Sequence, residues 1–417
     1  MTKILTLSDD GVPSGYGRIS MSLNPRLSRR GYHMMAASLL YDGLLPPNYE
    51  GTPLPYWVAS LAGHPNWTEQ FVAIVNSYQP DIIMVIQDAP YAEAIKNAPI
   101  DWSRYALIVI TPVDGAPLYP QWTQMLKSAD GTLSISQFGV DTHRAAGIAS
   151  ELCRPGIEPD VFFCLPDDHR AAIRQKLNIA PDAFVLGTVA QNQGRKSIPC
   201  MMRGFFKFAA DKPDARYLMN MDAQSPAGWD LLQLCQMYGW DSSKIIWRAD
   251  CDRAGVHQMR ERYNIMDAHA VLSHREGFGL PLVEAQACGV VSMAIDWCSG
   301  HEICADGYGV IVKAHEHTEV STWGGSLDYF PDYDDLTTQL QWLYEHPAER
   351  AAIAQRGMER ARTWTWDVSV DNTVKVIERV LNKRRSIAAP MLPIIQLPQA
   401  IPQQADGIKP VEQLEAV

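Results

Sequence analysis

The sequence lacks any pairing pattern among its cysteines. Its 8 cysteines are scattered, with no CxxC pair and no metal-like spacing to histidine. Neither a disulfide framework nor a zinc cluster is indicated, and the cysteines read as buried, reduced thiols. Long hydrophobic runs are also missing. No apolar stretch approaches the roughly 20 residues needed to cross a bilayer, and Met1-Thr2-Lys3 leads straight into a short apolar strand, Ile4 to Leu7, with no signal-peptide pattern. Basic excess is absent as well: 47 Asp plus Glu stand against 36 Lys plus Arg, for a net charge of -11. That balance argues against a surface given over to nucleic acid or anionic lipid, although a local basic cleft would survive it. The expectation is a cytoplasmic protein without stable membrane insertion.

What is present is a chain of 417 residues, 47% of them hydrophobic, enough for two domains. Short apolar runs alternate with amphipathic helices. In the first half, strands are predicted at Lys3–Ser8, His33–Leu40, Asp81–Gln87, Ala106–Val113 and Gly131–Ser136, with a helix over Asn66–Gln79. A break rich in proline and glycine spans Pro155 to Asp182, after which the pattern restarts. Strands are predicted at Ala183–Ala190, Ala215–Asp222, Lys244–Ala249, Ala270–His274, Val290–Ile295 and Gly309–Ala314. Near-continuous apolar strands separated by helices indicate parallel sheets covered on both faces. The predicted fold is therefore α/β: two tandem Rossmann-like domains facing a cleft, at 1–165 and 166–365. A last helix follows at 366–385. From 386 to 417 the composition shifts to Pro, Gln, Ala and Ile without periodicity, which reads as a disordered tail.

The most informative stretch is HREGFGLPLVEAQACGVV, His274 to Val291. Gly277 and Gly279 make a loop that a ligand can approach, Pro281 suits a first helical turn, and Gly289 suits a helix stop. The free N–H groups at that helix start suit a diphosphate. Glu276 stands before the loop and Glu284 about one turn into the helix. A carboxylate can accept two hydroxyl donors, as a sugar diol offers; both glutamates could equally be ordinary charges at a helix start.

EGFGLPLVEAQACG resembles the E-x7-E signature of glycosyltransferase family 4 and its GT-B relatives. RPGIEPDVF (Arg154–Phe162), LGTVAQNQGRKSIPCMMRGF (Leu186–Phe205) and SGHEICADGYGVIV (Ser299–Val312) resemble further segments of that family, in the family's order. The resemblance implies a retaining glycosyltransferase of GT-B fold, with a C-terminal helix crossing back to the first domain. The co-substrate would be a nucleotide sugar, UDP- or GDP-linked, with no metal required.

The resemblance also implies roles. Arg195 and Lys196 would serve the donor diphosphate, where departing charge needs fixed cations. The pair is adjacent here instead of spaced, so which of them touches phosphate is open. Glu284 would bind the ribose hydroxyls. Glu276 would stand near the transferred sugar, with the backbone of Gly277, Phe278, Gly279 and Leu280 close by. SGYGR, Ser14 to Arg18, would lie by the pyrophosphate through Gly15 and Gly17, and Arg248 near the donor base. Asp114 stands where many members have a histidine lining the sugar site, and could bind or activate an acceptor hydroxyl; Asp88 is a similar candidate. Asp250-Cys251-Asp252 is nominally a metal-binding DxD, which the GT-B reading does not need.

The acceptor is left open between a soluble glycan, a small molecule and a nucleic acid. Arg26, Arg29, Arg30 and His33 could touch phosphates, as in viral enzymes that glycosylate DNA bases, or lipid headgroups; a solvated face is the plainer reading. A phosphorylase or epimerase of the same shape, and a non-catalytic nucleotide-sugar-binding protein, are the other classes.

Overall fold

The structure is a computed structural model that describes residues 1–44, 47–49, 52–249, 254–319 and 327–388. In the first domain the chain runs β1 (Lys3–Ser8), α1 (Gly15–Arg29), β2 (His33–Ser38), the two-residue strands β3 (Asn48–Tyr49) and β4 (Thr52–Pro53), and β5 (Trp57–Ser60). It continues with α2 (Trp67–Tyr78), β6 (Ile82–Ile86), α3 (Ala89–Asn97), β7 (Ala106–Thr111), α4 (Pro120–Lys127), β8 (Gly131–Ser134), α5 (Gln137–Ala145) and β9 (Glu151–Leu152). Seven strands form a parallel sheet in the order β5-β2-β1-β6-β7-β8-β9. Strands β6 (IIMVI) and β7 (ALIVIT) are buried at every position, as expected of strands covered on both faces.

The second domain runs α6 (Asp167–Lys176), β10 (Val185–Val189), α7 (Ile198–Phe208), β11 (Arg216–Asn220), α8 (Leu231–Tyr238) and β12 (Ile245–Trp247). Then come α9 (Val256–Asn264), β13 (Ala268–Val271), α10 (Leu280–Ala287), β14 (Val291–Ile295), α11 (Cys298–Cys304) and β15 (Val310–Val312). Its six-stranded parallel sheet has the order β12-β11-β10-β13-β14-β15. An antiparallel hairpin, β16 (Ala314–Glu319) and β17 (Leu327–Pro331), follows. The helices α12 (Tyr333–Glu345), α13 (Pro347–Ala361) and α14 (Trp366–Ala388) complete the described chain.

Both sheets reverse strand order beside their first strand, between β1 and β6 and between β10 and β13. Loops leaving the carboxyl ends diverge at such a switch point and open a crevice. The chain thus holds two crevices, and the loops that carry the candidate residues leave them.

Helix α14 crosses back to the first domain. Asn372 Nδ2 donates to the Leu152 carbonyl (2.9 Å), and Val376 fills the space where Gly131 has no side chain. Arg26 pairs with Glu158 (2.9 Å) and Asp367 (3.7 Å), and Arg30 with Asp371 (2.6 Å). His33 Nδ1 meets the Tyr78 hydroxyl at 2.7 Å. The basic cluster considered above for phosphates or headgroups is therefore corrected in large part: Arg26 and Arg30 fasten the crossing helix to the first domain.

Other differences are local. The expected strand at Ala270–His274 begins at Ala268 and stops at Val271, which frees Leu272 onward as loop. Helix α14 continues to Ala388, beyond its expected end at Arg385. Edge strand β5 and the hairpin were not marked by the pattern. The expected tail from 389 onward lies outside the described residues.

Candidate active site

The first-domain wall is built on the loop between β1 and α1. Ser14 caps α1, accepting from Gly17 N (2.9 Å) while its hydroxyl donates to Asp9 Oδ2 (2.7 Å). Gln87 Nε2 donates to the other Asp9 oxygen at 2.8 Å. The two glycines of SGYGR differ. A side chain at Gly17 would collide with the carbonyls of Val12 and Asp9, so the turn itself demands glycine there, whereas Gly15 has open space above it. The Tyr16 hydroxyl donates to Asp88 Oδ1 at 2.5 Å and joins the first turn of α1 to the loop after β6. Burial raises the Asp88 carboxyl, and the nearby Asp114 charge adds to that.

The second-domain wall gathers residues about 80 positions apart. Arg195 and Lys196 lie in one 3-10 turn after β10, followed by Ser197 in the left-handed region at φ 52°. Lys196 Nζ donates to Glu276 Oε2 at 2.5 Å, the Ser273 hydroxyl donates to the same oxygen at 2.8 Å, and Arg195 Nη1 lies 3.4 Å from it. Arg195 also donates to the Arg275 carbonyl (3.1 Å), while His274 N donates to the Arg195 carbonyl (2.8 Å). Burial works to raise the Glu276 carboxyl, but Lys196, Arg195 and Ser273 outweigh it and hold it at about 2. Burial pushes Lys196 down to about 8 despite the opposing pull of Glu276. The Arg195 guanidinium, with burial opposed and outweighed by Glu276 and Asp114, is raised.

Helix α10 starts at Leu280 behind Gly279, whose φ of 88° suits glycine. Glu284, 2% exposed, accepts from the Tyr263 hydroxyl (2.7 Å) and pairs with Arg18 of the first domain at 2.5 Å. Gly277 sits against the other domain: an added Cβ would come 2.5 Å from Pro112 Cβ. The Phe278 ring is 3% exposed and packs near Trp364, centroids 6.0 Å apart, which leaves its backbone, the part expected near the sugar, on the loop. Asp114 lies in the loop after β7; its carbonyl accepts from Cys298 Sγ (3.0 Å), and its charge acts on Arg195, Tyr16 and Asp88. Arg248 follows edge strand β12, its guanidinium donating to the Trp247 carbonyl (3.0 Å). Asp250, Cys251 and Asp252 fall outside the described residues.

The structure thus brings Glu276, Arg195, Lys196, Asp114 and Asp88 into one electrostatically coupled cluster between the two switch points. Comparison with known proteins follows from this geometry. The model of the family described as "Glycosyl transferases group 1" matches residues 253–322. The chain carries a Glycosyl transferases group 1 domain. Curated relatives include D-inositol 3-phosphate glycosyltransferases. That of Stackebrandtia nassauensis is 28% identical over 274 residues, 62% of this chain and 56% of the relative. That of Geodermatophilus obscurus is 32% identical over 168 residues, 39% and 35% respectively. The chain spans about half the length of the curated relatives it matches.

The whole described architecture is GT-B. Sucrose-phosphate synthase from Thermosynechococcus elongatus superposes with a TM-score of 0.71 at 16% identity, covering 92% of this chain and 100% of the other. Anabaena HepE in complex with UDP-glucose superposes at 0.69 and 17% identity, covering 92% and 100%. No helix among the described residues is long and apolar enough to cross a membrane.

The group 1 domain also uses residues that motif reading did not single out. Tyr263 on α9 orients Glu284, and Ser273 on the loop after β13 orients Glu276. Glu302 on α11 holds the domains in register: it accepts from the Gln137 (2.8 Å) and Phe138 (3.3 Å) amides and from Arg154 Nη2 (2.6 Å). Arg18 carried a signal, as the last residue of SGYGR, but nothing in the sequence pointed it at Glu284.

Proposed function

We propose that this chain is a retaining glycosyltransferase, moving a sugar from a nucleoside-diphosphate sugar to an acceptor hydroxyl. The observation that carries this reading is the meeting of Lys196 and Arg195 on Glu276, beside the N-terminus of α10. Two fixed cations and a helix start form a counter-charge for a diphosphate. The group 1 domain and the GT-B fold support it, as does the UDP-glucose bound by the Anabaena neighbour.

In this reading the acceptor oxygen bonds to the anomeric carbon. The carbon–oxygen bond to the diphosphate breaks, its electron pair leaves on the diphosphate, and the hydroxyl proton passes to that departing oxygen. Lys196 and Arg195 stabilise the charge that develops on the leaving group. Glu276, held ionised, faces the sugar as positive charge grows at the anomeric centre. Asp114 accepts a hydrogen bond from a second hydroxyl of the acceptor and so aligns the reacting one. Glu284 takes the ribose diol, and the Gly277–Pro112 contact holds the walls together and keeps water from the donor.

Calorimetric titration with UDP, GDP, ADP and CDP tests the donor half. Saturable binding of one nucleotide that Lys196→Ala weakens at least tenfold is expected; no binding by any of them sinks the reading. Retention is tested by the anomeric NMR signal of product.

A further inference from the structure

The hairpin β16–β17 follows the last strand of the second sheet, and its second strand lies beyond residues 253–322, the stretch that matches the group 1 family. Among the described residues it pairs with neither parallel sheet. Strand β17 lies instead across the loops that carry the candidate chemistry. Asp328 faces the residues just before Glu276: its Oδ1 lies 2.5 Å from Arg275 Nε, and its Oδ2 lies 3.9 Å from His274 Nδ1. Tyr329 N donates to the His274 carbonyl (3.3 Å), and the Phe330 ring packs on the His274 ring, centroids 4.3 Å apart. Alternate residues of a strand share a face, so Asp328 and Phe330 both meet this loop while Tyr329 turns its ring to Trp297, at 4.2 Å. On the other wall, Leu327 N donates to the carbonyl of Ala116 (3.4 Å), two residues after Asp114.

The braced loop holds more than itself. His274 N donates to the Arg195 carbonyl (2.8 Å), and the Arg275 carbonyl accepts from Arg195 Nη1 (3.1 Å), so main chain at 274–275 grips Arg195 at both ends. The next residue is Glu276, whose carboxylate meets Lys196. Gly277 and Gly279 then lend the loop freedom, and contacts from outside must fix it. Asp328 supplies the ion pair among those contacts, with its side chain and that of Arg275 each only 17% exposed. Losing one member of such a pair leaves the other as an uncompensated charge, here one residue from Glu276.

We propose that Asp328 is a positioning residue for the transfer site, acting through Arg275 to hold the 274–276 loop and thereby Glu276 and Arg195 in place. The proposal rests on the glycosyltransferase reading above and adds a residue outside its motifs. It also gives the hairpin a role, since one strand ties that loop to the Asp114 loop of the facing domain.

The test is calorimetric titration of the full chain with UDP and with GDP, from pH 7 to pH 9.5. Burial holds Lys196 at about 8, and Glu276 opposes that fall more than Arg195 and Asp114 alter it. In the parent, affinity should therefore decline with a midpoint near 8. In Asp328→Asn, Glu276 drifts from Lys196, and the midpoint should move down by about half a pH unit or more, with affinity at pH 7 within about threefold of the parent. Arg275→Gln/Asp328→Asn leaves no orphan charge and still lacks the brace, so it should show the same lowered midpoint. An unmoved midpoint in Asp328→Asn, a midpoint restored in the double variant, or an equal loss of affinity at every pH overturns the proposal. A parent chain that binds neither nucleotide sinks the glycosyltransferase reading and this proposal with it, a failure told apart because it precedes any variant.

Discussion

Arg18 of the first domain and Glu284 of the second meet at 2.5 Å, with Glu284 almost wholly buried and Arg18 still reaching solvent. The carboxylate that would take the donor ribose is thus already engaged, on one oxygen by Arg18 and on the other by Tyr263. Removing one partner of a buried ion pair costs about 3–5 kcal/mol, and partial exposure of Arg18 reduces that to about 2 kcal/mol here. Arg18→Met should therefore melt several degrees lower, at roughly 2–4 °C per kcal/mol. Nucleotide should then restore part of the loss, because ribose hydroxyls can donate to the orphaned carboxylate. A thermal-shift comparison decides it: a larger nucleotide-induced shift in the variant than in the parent supports ribose at Glu284. A smaller one means that Arg18 itself grips the nucleotide.

Lys196 predicts an alkaline limit to activity. Burial lowers its pKa to about 8, so the cation offered to the diphosphate is lost as pH rises through that value. In kcat/KM, which reports the free enzyme, the alkaline limb should fall near pH 8. Bound diphosphate favours the charged amine, so the limb in kcat should lie higher. Lys196→Arg keeps its charge at all these pH values, and its residual activity should show no limb near 8. A limb that persists in that variant would assign it elsewhere.

The fold was legible because β6 (IIMVI) and the first five residues of β7 (ALIVI) are uninterrupted apolar runs, as expected of strands in a parallel sheet covered on both faces. The donor-side motif was legible because its chemistry lies within one stretch, loop and helix, from Glu276 to Glu284. What stayed hidden was whatever depends on contacts across the chain. Phe278 sits in the motif yet packs near Trp364, since a ring facing a crossing segment is buried whatever its neighbours do. Arg26 and Arg30 read as a basic patch because their partners, Glu158, Asp367 and Asp371, are more than 100 residues away in sequence.

Gly277 offers a test of the domain seam. The sequence suggests a glycine that lets a ligand approach, while the structure sets it against Pro112 of the facing domain, with room for no Cβ. Backbone on one side and a rigid ring on the other leave little to yield, so Gly277→Ala should push the domains apart locally. We expect the KM for donor to rise at least tenfold with little change in melting temperature, because the clusters around Leu5, Val85 and Val109 and around Phe205, Tyr217 and Met219 lie away from the seam. A drop of many degrees with an unchanged KM would place the glycine's importance in folding of the loop instead. Small-angle scattering of parent and variant checks the opening directly.

Asp10 yields a stability prediction with a definite sign. It is fully buried beside the donor-side loop, its Oδ1 accepting from the Tyr56 hydroxyl (2.6 Å) and from Asn24 Nδ2 (3.1 Å). Burial raises its pKa from 3.8 to about 6, against the pull of those donors. Between these values the folded chain keeps a proton that the unfolded chain has released, so stability falls as pH rises through the window and is level above it. At about 1.4 kcal/mol per pKa unit the ionised carboxylate costs up to about 3 kcal/mol above pH 6. Asp10→Asn removes the charge and keeps an acceptor for Tyr56. The variant should therefore be more stable than the parent at pH 7.5, by about 2–3 kcal/mol, with the advantage shrinking to about 1 kcal/mol at pH 4.5. Denaturant unfolding at the two pH values measures both numbers. An advantage that does not change with pH would show that Asp10 does not titrate in this window. A variant weaker at both would show that the carboxylate's hydrogen bonds outweigh the cost of its charge.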